Sequence, residues 1–206
     1  MGKSFFLLAV SAAAVRALNN GLALTPPLGW RSWNAFGGGV TQSKMQAIMD
    51  AMVDSSRGFS LKSLGYEFVG LDDGWQACGK GVNGSFHDAS GEPIIDAGKF
   101  PDMGGMVAYA HKRGLKAGWY LNNCICNEHQ FNDAFANVVQ QRDVAALRKF
   151  GFDGLKLDSC SMWNNLTRWN ELLNASGHTP ILVENCHQGG LAPGSRQWQT
   201  YVKVEP

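Results

Sequence analysis

Short apolar runs alternate with longer amphipathic segments over most of this chain. The apolar runs cover residues 66–71, 115–120, 154–157 and 180–184. Such runs are typical of buried parallel strands, whereas apolar residues three or four positions apart indicate helices. The alternation of the two patterns predicts a series of βα units around a parallel sheet.

Five strands and four helices follow from this pattern. A loop leads into a first short strand before Asn34, and helices are predicted at residues 43–55, 100–113, 132–150 and 164–174. Five βα units are too few to close an eight-stranded barrel, which typically needs about 250 residues. An open doubly wound sheet is the alternative, but no glycine-rich phosphate-binding turn follows the first strand.

Polar and aromatic side chains recur where the predicted strands end. These residues are Trp33, Asp72, Asp73, Tyr120, Lys156, Asp158 and Glu184. In an α/β barrel the carboxyl ends of the strands form the rim where active sites lie. Carboxylates accept hydrogen bonds from hydroxyl groups, lysine donates them, and aromatic rings cover the apolar face of a sugar. The rim therefore predicts a pocket for a neutral polyol.

Asp158 is the central candidate, because it ends the apolar run at 154–157 abruptly. Side chains alternate along a strand, so Lys156 would lie on the same side and its charge would keep Asp158 ionised. These features suit the nucleophile of a retaining glycosidase, with Asp72 or Asp73 as the acid on the same reasoning. The competing interpretation is that Asp158 only caps the following helix.

A metal site is the rival hypothesis for the same rim. Asp72, Asp73 and Glu184 could together offer oxygen ligands to a divalent cation. Zinc binding through Cys124 and Cys126 is a further alternative, although their spacing is wrong for a usual zinc site. Otherwise the sequence predicts neither a metal nor a cofactor.

Residues 1–17 are predicted to be a secretory signal peptide. Lys3 provides a basic start, residues 5–15 form an apolar run, and small residues around Ala17 fit a cleavage site. The run is too short for a lasting membrane anchor, and a buried first helix is the alternative. Three Asn-X-Ser/Thr sequons agree with a secreted or vacuolar/lysosomal protein. They lie at Asn83, Asn165 and Asn174.

The net charge limits the possible binding partners, and the number of cysteines limits the possible disulfides. The formal net charge is +1, which gives no electrostatic case for nucleic acid, and no membrane partner is predicted. The chain has five cysteines, an odd number for a secreted protein in which disulfides are expected. At least one cysteine therefore lacks a partner within this chain.

Three ordered motifs point to a known family. They are residues 22–34 (LALTPPLGWRSWN), 71–75 (LDDGW) and 156–160 (KLDSC). Together they resemble glycoside hydrolase family 27, which holds the α-galactosidases, or melibiases, and the α-N-acetylgalactosaminidases. The resemblance implies an incomplete (β/α)₈ TIM barrel, with about five of the eight βα units. Residues 18–206 would be the N-terminal part of this catalytic domain, truncated at the C-terminus.

The resemblance also implies an activity and a role for each site residue. The family cleaves terminal α-galactosides of oligosaccharides or glycoconjugates with retention of configuration, and Asp158 would be the nucleophile. The other site residues would bind the sugar hydroxyls or line the pocket. They are Asp72, Asp73 and Lys156 as hydroxyl ligands, and Trp33 and Tyr120 as pocket walls.

Disulfides are implied by the same resemblance. Cys160 would pair with Cys126 or Cys124 and brace the nucleophile loop, and Cys186 would pair with a cysteine beyond this sequence. Cys78 could form a different bridge, with whichever of Cys124 and Cys126 is left.

The sequence departs from the family pattern in ways that affect activity. The family's acid/base aspartate and a substrate-binding arginine lie after the sixth strand, and this sequence stops before them. As sugar ligands, Asp72 and Asp73 cannot replace that acid, so we expect a fragment with little activity, or a non-catalytic sugar-binding remnant. His187 lies where the family distinguishes the 2-substituent of the sugar. N-acetylgalactosamine and β-L-arabinopyranose are therefore alternative substrates.

Overall fold

The computed structural model describes residues 20–121, 125–158, 165–177 and 179–186. Within them, five parallel strands form one sheet in the order β1-β2-β3-β4-β5. The strands are β1 (Gly29–Arg31), β2 (Phe68–Gly70), β3 (Lys116–Leu121), β4 (Gly154–Asp158) and β5 (Leu182–Cys186). This arrangement confirms the predicted fold class, an incomplete (β/α)₈ barrel. The predicted signal peptide lies outside the described residues.

The helices are α1 (Trp33–Phe36), α2 (Gln42–Val53), α3 (Met103–Lys112), α4 (Asp133–Phe150) and α5 (Leu166–Ala175). Four of them match the sequence prediction, and the single turn of α1 was missed. The starts of α2, α3, α4 and α5 are set by side-chain caps. Thr41 accepts from the backbone N–H of α2, Asp102 from that of α3 and Asn132 from that of α4. In the part of the chain that is described, no helix combines the length and apolar character needed to cross a bilayer.

The two faces of the sheet differ in polarity. On the outer face, residues of the strands, with Leu71 directly after β2, belong to the main hydrophobic core together with the helices. The strand residues are Val69, Ala117, Trp119, Leu121, Leu155 and Leu157. The residues between them along each strand face the other way, because side chains alternate in a strand. On that concave face the pairing aligns three glycines, Gly70, Gly118 and Gly154. The row leaves space above the sheet for larger side chains.

Aromatic rings form the centre of the core. Trp119 is fully buried and stacks on Phe152, with ring centroids 5.0 Å apart. Trp75 lies 4.7 Å from the Trp119 ring and donates its indole N–H to the Tyr120 carbonyl at 2.9 Å. This contact fixes the segment after β2, which carries Asp72 and Asp73, against the end of β3, which carries Tyr120.

A buried charge cluster anchors the long loop between β2 and α3. His87, in this loop, is completely shielded from solvent, as are Glu128 and Asp143. One ring nitrogen of His87 contacts Glu128 Oε1, and the other lies 2.9 Å from Asp143 Oδ1 on α4. Burial opposes the charged imidazolium, but the two carboxylates outweigh it and raise the pKa of His87 to about 9. Burial raises the pKa of Glu128 to about 7, against the effect of His87.

We expect stability to fall as the pH rises from about 5 to about 9. Both pKa values are raised on folding, so the folded state holds extra protons in this range and loses that stabilisation as they dissociate. The His87 contribution is fully present below its unfolded pKa and is lost as the pH rises through about 9. Thermal unfolding followed by circular dichroism across this range measures the effect. His87→Gln should flatten the profile, whereas His111→Gln, at a half-exposed site, should keep it. Identical profiles for the His87→Gln variant and the parent would contradict the assignment.

Candidate active site

The concave rim of the sheet brings most of the predicted site residues together. Strand pairing places Tyr120, Lys156 and Glu184 side by side on β3, β4 and β5. Asp158 lies one step nearer the rim and is paired with Cys186. Asp72 and Asp73 follow β2 closely. The rim therefore carries carboxylates, one lysine and one phenol within a single concave surface.

Asp72 is the most deeply buried charged group of this surface. Its side chain is 2% exposed, and Oδ2 accepts a hydrogen bond from Lys156 Nζ at 2.8 Å. Arg31 Nη1 lies 3.7 Å from the same oxygen, and Oδ1 accepts the backbone N–H of Asp73 at 2.9 Å. The Ser32 hydroxyl accepts the backbone N–H of Asp72 at 2.9 Å. Two cations and one N–H therefore compensate a carboxylate that water cannot reach.

Asp158 is held by Tyr120. The phenol donates to Asp158 Oδ2 at 2.9 Å, and Lys156 Nζ lies 5.2 Å from the centre of the Tyr120 ring. A donor on one carboxylate oxygen restricts the rotation of the side chain. Asp158 is partly exposed, so a ligand on the concave side can reach it.

Asp73 lies between the buried ion pair of Lys156 with Asp72 and the solvent. Burial raises the pKa of its carboxyl, against the hydrogen bonds from the backbone of Gly74 and the side chain of Gln76, while the charges of Asp72 and Asp158 add to the rise. A cleft of about 630 Å³ opens beside it. Its polar lining residues include Gln76, Lys80, Asp96 and Lys99. Asp73 therefore faces both the carboxylates of the rim and an open cleft.

Trp33 does not join the hydrogen-bonded group. It begins the short helix α1 after β1 and leaves 47% of its surface exposed. None of the polar contacts that connect Asp72, Lys156, Tyr120 and Asp158 includes it. Its role as a pocket wall therefore stays a prediction.

A family model for alpha-galactosidase A matches residues 25–199. The chain belongs to this family, glycoside hydrolase family 27. The matched range contains every predicted site residue. Family membership confirms the resemblance inferred from the three sequence motifs.

Curated relatives and a solved structure agree with the family. An alpha-galactosidase of Cyamopsis tetragonoloba is 30% identical over 200 residues, which is 90% of this chain and 45% of the relative. A probable alpha-galactosidase B of Aspergillus fumigatus is 31% identical, over 98% of this chain and 45% of the relative. The alpha-galactosidase structure of Saccharomyces cerevisiae superposes with a TM-score of 0.65 at 25% identity, covering 83% of this chain and 37% of that one. The chain thus spans under half the length of these relatives.

Arg31 is a rim residue for which the sequence predicted no role. Its guanidinium contacts Glu184 Oε1 and donates to the Leu71 carbonyl at 3.2 Å. The signal that could have found it is its position, since it is a charged residue at the end of the first predicted strand. Carboxylates end the second and fifth strands, and a cation among them is a natural partner.

The contacts of Arg31 bear on the metal hypothesis. Arg31 reaches both Asp72 and Glu184, and Lys156 donates to Asp72 Oδ2. Cations of the protein therefore already occupy the space between these carboxylates. Among the described residues, no group of three acidic, histidine or cysteine side chains is arranged to hold a metal ion. Arg31 and Lys156 would compete with a metal ion for Asp72 and Glu184, so these contacts disfavour the rival site, which stays a hypothesis.

The disulfide selects between the predicted pairings. Cys126 pairs with Cys78, which is one of the two bridges predicted for Cys78, and this leaves Cys124 as the alternative for Cys160. The physical reason is that the loop after β2 folds back onto the loop after β3. The pairing of Cys124 with Cys160 lies outside the described residues. Cys186 has no disulfide partner in the described ranges, and burial together with the Asp158 charge raises the pKa of its thiol.

Lys156→Met should lower the free energy of unfolding by about 3 kcal/mol, because it leaves the Asp72 carboxylate buried with weaker compensation. Urea unfolding measures the loss. The double variant Lys156→Met with Asp72→Asn should recover part of it. Lys116→Met is the matched control, since its ion pair with Glu67 is about half exposed and should contribute about 0–1 kcal/mol. Equal losses in the two lysine variants would contradict the burial argument.

Proposed function

We propose that this chain carries the nucleophile and much of the sugar pocket of a retaining α-galactosidase. The observation that carries the proposal is the hydrogen bond from Tyr120 to Asp158, one step from the pair of Lys156 with Asp72. This contact gives a restrained, accessible carboxylate beside several hydroxyl-binding groups. The 30–31% identity to alpha-galactosidases over most of the chain supports galactose as the sugar.

In the proposed reaction Asp158 attacks the anomeric carbon of a terminal α-galactoside. The carboxylate oxygen forms a bond to that carbon while the bond to the leaving oxygen breaks, and the leaving group takes a proton from an acid. Water then displaces Asp158, so that the sugar keeps its original configuration. Tyr120 would orient the carboxylate during the first step.

The hydroxyl groups of the sugar would be bound by the surrounding polar groups. Lys156 donates from an ammonium group whose side chain is 13% exposed, and Asp73 accepts from a partly exposed position. Asp72 is 2% exposed, so it would act mainly by holding Lys156. Trp33 would cover the apolar face of the sugar from the end of β1.

We propose that the proton donor belongs to the part of the family's length that this chain does not span. The chain covers 45% of the Cyamopsis tetragonoloba relative. Asp72 does not suit the role, because two cations and an N–H already surround its oxygens. The chain alone would then bind galactose and expose a nucleophile without being able to protonate an alkoxide leaving group.

Location in the secretory pathway is part of the same proposal. Residues 1–17 have the composition of a signal peptide, and the sequons at Asn83, Asn165 and Asn174 would be acceptors there. All three asparagines are exposed. The disulfide between Cys78 and Cys126 fits an oxidising compartment.

Asp158 should be labelled by an α-galactosyl fluoride that carries a second fluorine on the ring. Fluoride leaves without protonation, so the missing acid does not matter, and the ring fluorine slows hydrolysis of the glycosyl-enzyme. Intact mass should rise by one sugar, and peptide mass spectrometry should place it on Asp158. Asp158→Asn should abolish labelling, whereas Asp133→Asn, exposed at the start of α4, should not. Labelling of a different residue would refute the assignment of the nucleophile.

Substrates that need protonation should be cleaved slowly by this chain. Loss of a general acid typically costs about 10²–10⁴-fold in rate. A release assay with an alkyl α-galactoside should therefore show a rate at least about 10²-fold below that of the full-length Cyamopsis tetragonoloba relative. A comparable rate would mean that this chain supplies its own acid. Galactose binding without labelling by the fluoride would instead support a non-catalytic sugar-binding remnant.

A further inference from the structure

Arg31 and Glu184 meet across the concave face although they lie on the first and last strands of the sheet. The strand order puts β2, β3 and β4 between β1 and β5. In a flat sheet these two strands would be roughly 19 Å apart, at about 4.8 Å for each neighbouring pair. Direct contact of the guanidinium with Glu184 Oε1 therefore requires a strongly curled sheet. The ion pair of Arg31 with Glu184 therefore spans the concave side of the curved sheet.

The aligned glycines of the concave face leave room for the Arg31 side chain. A Cβ atom at Gly70 would lie 2.8 Å from Arg31 Cζ, and one at Gly118 would lie 3.4 Å from Nη2. The guanidinium therefore lies close against the backbone of β2 and β3. Any larger residue at Gly70 would push it away from the sheet.

Glu184 lies next to residues of the proposed sugar pocket. It is paired directly with Lys156, which is in turn paired with Tyr120, so all three side chains belong to one row of the concave face. Its side chain lies on the edge strand of the described sheet and is 38% exposed there, whereas that of Asp72, which follows the inner strand β2, is 2% exposed. Arg31 engages one carboxylate oxygen, and the other has no hydrogen-bond partner among the residues that the structure describes. A carboxylate oxygen in this position is an acceptor for a hydroxyl group.

We propose that Glu184 is a further substrate-binding residue and that Arg31 is the residue that positions it. The inference rests on the proposed α-galactosidase function. Glu184 lies one row deeper than Asp158 on the same face, because Asp158 is paired with Cys186. With the anomeric carbon at Asp158, Glu184 accepts from a hydroxyl on the far side of the galactose ring. Arg31 acts through Glu184 and Asp72 without touching the reacting atoms.

The charges of Arg31, Asp72 and Glu184 compensate one another, which favours a neutral sugar as the ligand. Arg31 is already engaged by two carboxylates and by the Leu71 carbonyl. Its positive charge is therefore already compensated and offers little extra attraction to an anionic substituent. Its planar guanidinium also fixes the direction of Glu184 better than a lysine would. The expected preference is for a hydroxyl donor.

The test uses the labelling reaction of the 206-residue chain with the ring-fluorinated galactosyl fluoride. Glu184→Gln should raise the half-saturating concentration by about 10- to 100-fold, which is the usual effect of losing a hydrogen bond to a charged group. The rate at saturation should change little, because Glu184 does not touch the anomeric carbon. Arg31→Met should likewise raise the half-saturating concentration and leave the rate at saturation nearly unchanged. Arg31→Lys should restore part of the affinity. The double variant Arg31→Met with Glu184→Gln should be no weaker than Glu184→Gln alone.

Deoxygenated analogues separate binding from a structural role. The analogues each lack one hydroxyl, at the 3-, 4- or 6-position. The analogue that lacks the hydroxyl bound by Glu184 should have the same affinity for the parent and for the Glu184→Gln variant. Glu92→Gln and Arg142→Met are matched controls from an exposed ion pair and should change nothing. The inference is overturned if the parent is labelled and Glu184→Gln saturates at the same concentration. If the parent is not labelled at all, the proposed function fails, and the inference fails with it.

Discussion

The buried carboxylate of Asp72 is the constraint on which the rest of the pocket depends. A carboxylate without access to water is stable only when cations and hydrogen-bond donors surround it. Here they come from Lys156 on β4, Arg31 on β1 and the adjacent backbone of Asp73. Because these groups start on different strands, they converge only if the sheet curls. The compensation of one charge thus links the curvature of the sheet to the geometry of its rim.

Alternation along the strands separates packing from chemistry. In β4, Leu155 and Leu157 pack into the core, while Lys156 and Asp158 point to the concave face. The glycines at the base of that face leave room for Arg31. The core can therefore be densely packed with aromatic rings directly behind a polar pocket.

The loops after β2 and β3 are held by contacts outside the pocket. The disulfide from Cys78 to Cys126 joins the two loops, and His87 between Glu128 and Asp143 ties them to α4. These contacts support the segment that begins at Asp73 and the one that follows Tyr120. Asp73, whose backbone N–H bonds to Asp72, and Tyr120, which donates to Asp158, therefore lie next to loops that these contacts stabilise.

Local sequence patterns specify the order and type of the elements and the polar character of the strand ends. Caps such as Asn132, the alternation in β4 and the position of Asp158 are local properties, since each depends only on residues a few positions away. Which polar side chains meet depends instead on contacts between distant parts of the chain. Arg31 and Glu184 are 153 positions apart, and their contact depends on how far the sheet curls, which no local pattern records. The burial of His87 with two acids has the same cause, because a polar residue becomes core only when distant segments close over it.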